Sequence, residues 1–271
     1  MSGTRLNTDG RLGVILTELR LPTMKRLATE SCDQADKEGW PARRLLEHLL
    51  EQEMAEREVR RFDRHRAQSG LHVDKHLSTF DFSAVPAISK AQVTALAEQY
   101  DWLAHGSNVL AFGPPGSGKS HLLNGIGHAL IDAGKRVLFT RCSDLVQRLQ
   151  VARRDLRLAN ELARLDRFDL LILDDISYVR KDQAETSVLF ELIAERYERK
   201  SIAITANTPF SKWSDVFVDA AMTIAAIDRL VHHATILEMN AESYRRRIAQ
   251  AEVTKARVAR KPAPLTTDDD A

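Results

Sequence analysis

The sequence predicts an α/β fold: a five-stranded parallel sheet covered by helices on both faces, preceded by a helical N-terminal extension. Three observations predict it. Strand-like and helix-like blocks alternate from about Phe80 to Ala249. The strands are short and nearly all apolar, as parallel strands buried on both faces must be. One strand runs into a glycine-rich loop that opens directly into a helix.

Residues from about Gly10 to Arg66 read as helices, the first ending near Leu21-Pro22. In the stretch 42–66, Leu45, Leu46, Leu49, Leu50, Met54 and Phe62 form an apolar stripe, with Glu53–Arg57 and Glu56–Arg60 as i,i+4 pairs on the wet side. Pro41 suits the start of that helix and Ser69-Gly70 its end. NVLAF (108–112) is the first strand, followed by the loop and a helix over 119–134. RVLFT (136–140) is the second, with helical patterning through Leu165. LLILD (170–174) is the third, then a helix over 183–200. SIAITAN (201–207) and ATILEM (234–239) complete the sheet. Beyond Arg257, two prolines, small polar residues and an acidic end predict a disordered tail. The chain divides into 1–70, 71–250 and 251–271.

Composition narrows the function. The 271 residues are 28% charged and 44% apolar, with 39 Lys plus Arg against 38 Asp plus Glu. Any nucleic-acid surface is therefore a local patch rather than a property of the net charge. Two cysteines, Cys32 and Cys142, make no disulfide framework and point to a reducing cytoplasm. No run reaches the roughly 18 apolar residues of a membrane helix. Arg5, Asp9 and Arg11 stand where a signal peptide needs an apolar core. A soluble cytoplasmic protein is expected.

GPPGSGKS, residues 113–120, fits G-x-x-x-x-G-K-[ST] between a strand and a helix. Gly113, Pro114, Pro115, Gly116, Ser117 and Gly118 form a loop whose N–H groups can cradle phosphate oxygens. Lys119 reaches for the β- and γ-phosphates of ATP, and the Ser120 hydroxyl for Mg²⁺. This loop explains an otherwise costly feature, two adjacent carboxylates at the end of the third strand. Asp174 is placed to hold the metal and Asp175 to polarise the attacking water. Asp175 is one methylene shorter than the glutamate usual there, which slows turnover if it lengthens the contact to water. The alternative reading of Asp175 is as the N-terminal cap of the following turn. Asn207 ends the fourth strand as a candidate sensor of the γ-phosphate, or as a turn residue before Pro209.

With these motifs in order, the chain resembles the AAA+ ATPases and, more closely, the IstB-like transposition helpers of bacterial insertion sequences; the helicase loader DnaC is similar by pattern. The resemblance covers about residues 10–250 and rests on the helical extension, TFDFSAVP (79–86), GPPGSGKS, LLILDD, ITAN, NTPFSKW (207–213), DRLVHHA (228–234) and SYRRR (243–247). It implies a strand order of 5-1-4-3-2 and an ATP site shared between subunits of a homo-oligomer. Arg229 in DRL then looks like an arginine finger, and Arg245 in SYR like a second sensor arginine. A guanidinium suits both posts, being always charged and able to fork onto phosphate; each also reads as a surface arginine. The resemblance further implies assembly on double-stranded DNA and recruitment of the partner transposase, which stimulates hydrolysis.

Residues 240–261 are rich in arginine and lysine, and VARRDLR (151–157) is a second basic cluster. Both suit a phosphate backbone and both suit a solvated helix face. No base-reading module stands out, so DNA binding is expected to be mostly non-specific. HVDKH (72–76) lacks an evident third metal ligand and reads as linker. His232 and His233 read as structural or as part of a subunit contact. A helicase loader and a nucleotide-dependent assembly protein with negligible hydrolysis are the competing functions. A small-molecule kinase would need an arginine-rich lid between strands three and four, where an amphipathic helix stands instead.

Overall fold

The structure is a computed structural model that describes residues 3–176, 182–208, 213 and 219–240. The described residues divide into two compact units, with the boundary between Ala67 and Gln68.

In the first unit, α1 (Gly3–Glu18), α2 (Pro22–Glu38) and α3 (Ala42–Gln68) enclose a small core of Leu16, Met24, Ala28 and Leu49. Pro22 opens α2, where its missing N–H costs nothing, and Gly39 ends it at φ 66°. The expected stripe on α3 is only partly buried. Leu45 and Leu49 face this core, whereas Leu46, Leu50 and Met54 are exposed. Glu53 was expected on the wet side and is instead buried. Its Oε2 accepts from Thr23 N at 2.7 Å and Met24 N at 3.0 Å, and Arg60 donates to its Oε1 at 3.0 Å. The carboxylate thus caps α2 from another helix, satisfying two N–H groups that a helix start leaves open.

Burial pushes the Glu53 carboxyl up, but the two N–H donors and the arginines at positions 60 and 57 outweigh it and hold it below its ordinary value. A depressed acid stabilises the fold above its unfolded pKa, and that contribution is lost as pH falls through the lowered value. Glu53→Gln should therefore cost about 1–3 kcal/mol at pH 7. The gap between variant and parent should close on acidification, as read by denaturant unfolding at several pH values. A pH-independent gap would refute the capping role.

In the second unit, α4 (Lys90–Glu98) and α5 (Asp101–Ala104) precede β1 (Asn108–Phe112). Then come α6 (Lys119–Asp132), β2 (Val137–Arg141), α7 (Cys142–Arg154), α8 (Leu158–Leu165), β3 (Leu170–Asp174), α9 (Gln183–Arg196), β4 (Ser201–Ala206), α10 (Ala220–Val231) and β5 (Ala234–Glu238). All pairings are parallel, in the order β2-β3-β4-β1-β5, the order the resemblance implied. Alternate strand residues divide between two cores. Leu110, Leu171, Leu173, Ile202 and Ile204 pack under α7 to α10. Val109, Ala111, Leu170, Ile172 and Ala203 pack under α4 and α6. The central strand positions therefore carry apolar side chains towards both faces, and fully burying a Val, Leu or Ile there stabilises by about 1.5–3 kcal/mol.

The second strand begins one residue later than expected. The fourth and fifth each end one residue earlier. The helix predicted through Leu165 is broken: α7 stops at Arg154 and α8 starts at Leu158, with Leu156 between them at φ 56° and 94% exposed. VARRDLR accordingly spans this break. Its arginines have acidic partners, Arg153 with Glu191, and Arg154 and Arg157 with Asp155 at 3.5 and 2.7 Å. The basic run from residue 241 onward, Arg245 and the acidic tail lie outside the described residues.

Candidate active site

β1 lies between β4 and β5, while the helix that follows it leads to β2 at the far edge. At such a reversal the loops beyond the strand ends diverge and leave a crevice. β1 delivers Gly113 there, β3 delivers Asp174 and Asp175, and β4 leads to Asn207.

The loop is shaped by its glycines. Gly113 has φ 152°, and a Cβ on it would lie 2.3 Å from Met239 O. Gly118 has φ 96° and sits against the Phe80 ring, which a Cβ would meet at 3.1 Å. Gly118 also precedes α6 without capping it by a side chain, so the first N–H groups of that helix receive no side-chain acceptor from their cap. Lys119 is buried to 6% exposure, and its Nζ donates to Gly113 O at 2.7 Å and Pro114 O at 2.9 Å. The loop thus holds its own lysine within the cradle.

Ser120 Oγ donates to Asp174 Oδ1 at 2.6 Å, and Thr205 Oγ1 donates to the same oxygen at 2.7 Å. Asp175 N donates to Thr205 Oγ1 at 2.8 Å, and Asn207 Nδ2 donates to Asp175 Oδ1 at 3.0 Å. Asp175 has φ 60°, a left-handed conformation that Asp tolerates better than most residues. That turn sends the two neighbouring carboxylates into different bonds, one towards Ser120 and one towards Asn207.

These groups line a cleft of about 270 Å³. The structure brings together Lys119, Ser120, Asp174, Asp175 and Asn207, with Pro115, Gly116 and Gly118 of the loop. It does not bring Arg229 there. Arg229 lies on α10, donating to Ala225 O at 2.9 Å and stacking over Phe190 at 5.2 Å, beside a separate depression lined with Tyr197, Ile224 and Asp228. Three further residues line the cleft that the sequence did not mark as site residues: Thr205, Lys75 and His121. His121 Nε2 lies 3.1 Å from both Thr79 Oγ1 and His76 O, which fixes its ring at the rim.

The donor set fits a hard divalent cation: a hydroxyl and a carboxylate already share one position, and both are oxygen ligands. The glycine turns and the uncapped helix start fit a phosphate chain.

The sequence profile of the IstB-like ATP-binding proteins matches residues 14–251. The chain belongs to this family. An insertion-sequence ATP-binding protein of Sinorhizobium fredii, y4iQ/y4nD/y4sD, is 63% identical over 241 residues, covering 89% of this chain and 81% of that protein. The IS21 ATP-binding protein of Pseudomonas aeruginosa is 35% identical over 259 residues, covering 96% of each. AMPPCP-bound DnaA from Aquifex aeolicus superposes with a TM-score of 0.54 over 69% of this chain and 57% of that one; at 18% identity it shows the fold alone. The IstB-like chain thus carries an AAA+ fold. Among its described residues no helix is long and apolar enough to cross a membrane.

Proposed function

We propose that this IstB-like protein is an ATP-hydrolysing switch that assembles as a homo-oligomer on double-stranded DNA and recruits the transposase of its own insertion sequence. The observation that carries the reading is the meeting of Ser120 with Asp174, and of Asn207 with Asp175, beside the buried Lys119. In this reading Lys119 leaves its two loop carbonyls for the β- and γ-phosphates. Ser120 and Asp174 hold Mg²⁺, which when bound supplies charge neutralisation between those phosphates. Thr205 orients Asp174 and supports the backbone of Asp175. Asp175 accepts a proton from the attacking water while Asn207 fixes the angle of its carboxylate.

Arg229 is assigned to the neighbouring subunit's ATP, and its placement away from its own cleft supports that assignment. Arg245 is assigned to its own subunit's nucleotide on the resemblance alone. The relatives' description as insertion-sequence ATP-binding proteins supports the transposition setting. A second reading, assembly without appreciable hydrolysis, is favoured by the short Asp175 side chain.

Steady-state ATPase and sedimentation on duplex DNA, with the transposase present, test both. Arg229→Ala is expected to keep ATP affinity and lose assembly or hydrolysis, and mixing it with Lys119→Ala subunits should restore part of the activity. No restoration would defeat the shared site. Parental hydrolysis that Asp175→Asn abolishes would exclude the second reading.

A further inference from the structure

On the α10–β5 corner, His232 and His233 face Glu198 from the turn between α9 and β4. Among the described residues this is the only group of three potential metal ligands whose donor atoms all lie within 4.8 Å of one another. The separations themselves are informative. Glu198 Oε1 lies 3.6 Å from His232 Nδ1 and 3.7 Å from His233 Nε2. Both are too long for a good hydrogen bond. They are close to the roughly 3.4 Å that separates neighbouring ligand atoms around a tetrahedral ion bonded at about 2.1 Å.

The backbone arranges this convergence. Glu198 has φ 56°, in a turn closed by Arg199 N and Lys200 N donating to Arg196 O at 3.0 and 2.9 Å. The histidine turn is fixed from β1: Asn108 N donates to His233 O at 2.8 Å, and Asn108 Nδ2 donates to Leu230 O at 3.0 Å. Asn108 Oδ1 also accepts from Ile202 N at 2.9 Å, so a single buried side chain ties α10 to β4. Tyr197 Oη lies within hydrogen-bond distance of His232 Nδ1, at 2.8 Å, so an ion taking that nitrogen displaces the phenol. The side chains of all three candidate ligands are about half exposed, so a fourth position is open to water.

We propose that Glu198, His232 and His233 form a binding site for a borderline first-row divalent cation of the Zn²⁺ class. Two imidazole nitrogens and one carboxylate oxygen select such ions over Mg²⁺, which takes oxygen ligands. The site is distinct from the cleft at the other end of the strands and does not depend on the function proposed for that cleft. An ion there braces the end of α10, one turn beyond Arg229.

The test is a Co²⁺ titration of the full-length, untagged, chelator-treated protein in excess Mg²⁺, followed by the visible absorption of tetrahedral Co²⁺ and repeated with Zn²⁺ competition. One equivalent should bind and Zn²⁺ should displace it. Glu198→Gln and His233→Ala should each weaken binding by more than about a hundredfold, beyond the roughly 10–100-fold that loss of an outer-sphere partner costs. Asp174→Asn should leave the signal intact. Glu198 is exposed, so its variant folds and keeps the test decisive even if a histidine variant does not. No Co²⁺ binding, or binding unchanged by Glu198→Gln, overturns the site; a signal lost only in Asp174→Asn assigns the ion to the cleft and overturns it as well.

Discussion

Lys119→Ala should lower ATP affinity by at least about a hundredfold, since each hydrogen bond from a charged donor contributes about 1.5–3 kcal/mol and each 1.4 kcal/mol is a factor of ten. The size of the effect follows from the lysine's position. Its amine is nearly sealed from water and is held by two carbonyls of the loop it belongs to. A triphosphate offers that amine better acceptors a short swing away, so binding exchanges neutral partners for anionic ones. Alanine removes the charge and leaves Gly113 O and Pro114 O without that donor, so the empty loop should also loosen. Calorimetric titration with ATP and Mg²⁺ measures the affinity, and circular dichroism checks that the fold survives. Unchanged affinity in a folded variant would remove the phosphate cradle and every role built around it.

The parts of this site that were legible in the sequence are those whose chemistry is local. GPPGSGKS needs its glycines for turns made within eight residues, and LLILDD marks a buried strand by composition alone. The sheet order is different in kind, since strand-and-helix alternation is compatible with several orders, and the resemblance supplied the one observed. What escaped depends on partners distant in the chain. Thr205 reads as an ordinary strand residue, yet its hydroxyl joins the Asp174 carboxylate to the Asp175 backbone N–H, about thirty positions earlier. Glu53 has an arginine four residues on and reads as a surface ion pair; its decisive partners are N–H groups of another helix, 29 and 30 residues away. Lys75 belongs to a stretch without periodicity that reads as linker and turns out to line the cleft. The break between α7 and α8 carries no glycine or proline, and Leu156 takes the left-handed conformation that a glycine usually supplies.

Arg196→Met should destabilise the ATP-binding unit by about 3–5 kcal/mol, the usual result of removing one partner from a buried charged network. Arg196 ends α9 and is almost wholly buried. Its Nη1 donates to Leu165 O at 3.1 Å, and its Nη2 to Phe168 O at 3.1 Å and Ser201 O at 2.9 Å. One guanidinium therefore joins the end of α8, the approach to β3 and the start of β4. Asp166 Oδ1 lies 3.5 Å away as its counter-charge. Burial pushes its pKa down to about 10 against the opposing pull of Asp166 and Asp169, so the group stays charged at neutral pH. Methionine fills a similar volume but takes the guanidinium donor from three carbonyls in a region closed to water; Leu165 O keeps the bond from Phe168 N at 3.0 Å, and a carbonyl left unpaired costs about 1–3 kcal/mol less whatever relaxation recovers. For a unit of this size, a loss in that range lowers the melting temperature by roughly 6–20 °C. Arg196→Lys should recover only part of it, because an ammonium carries three donors on one atom and lacks the fork that spans separate acceptors. Arg43, paired on the surface with Glu47 at 3.0 Å, supplies the contrast: Arg43→Ala should change stability by no more than about 0.5 kcal/mol. Thermal melts that place Arg196→Met beside Arg43→Ala would show that the buried arginine does not join the strands, and that apolar packing alone fixes the starts of β3 and β4, opposite the ends from which the cleft residues project.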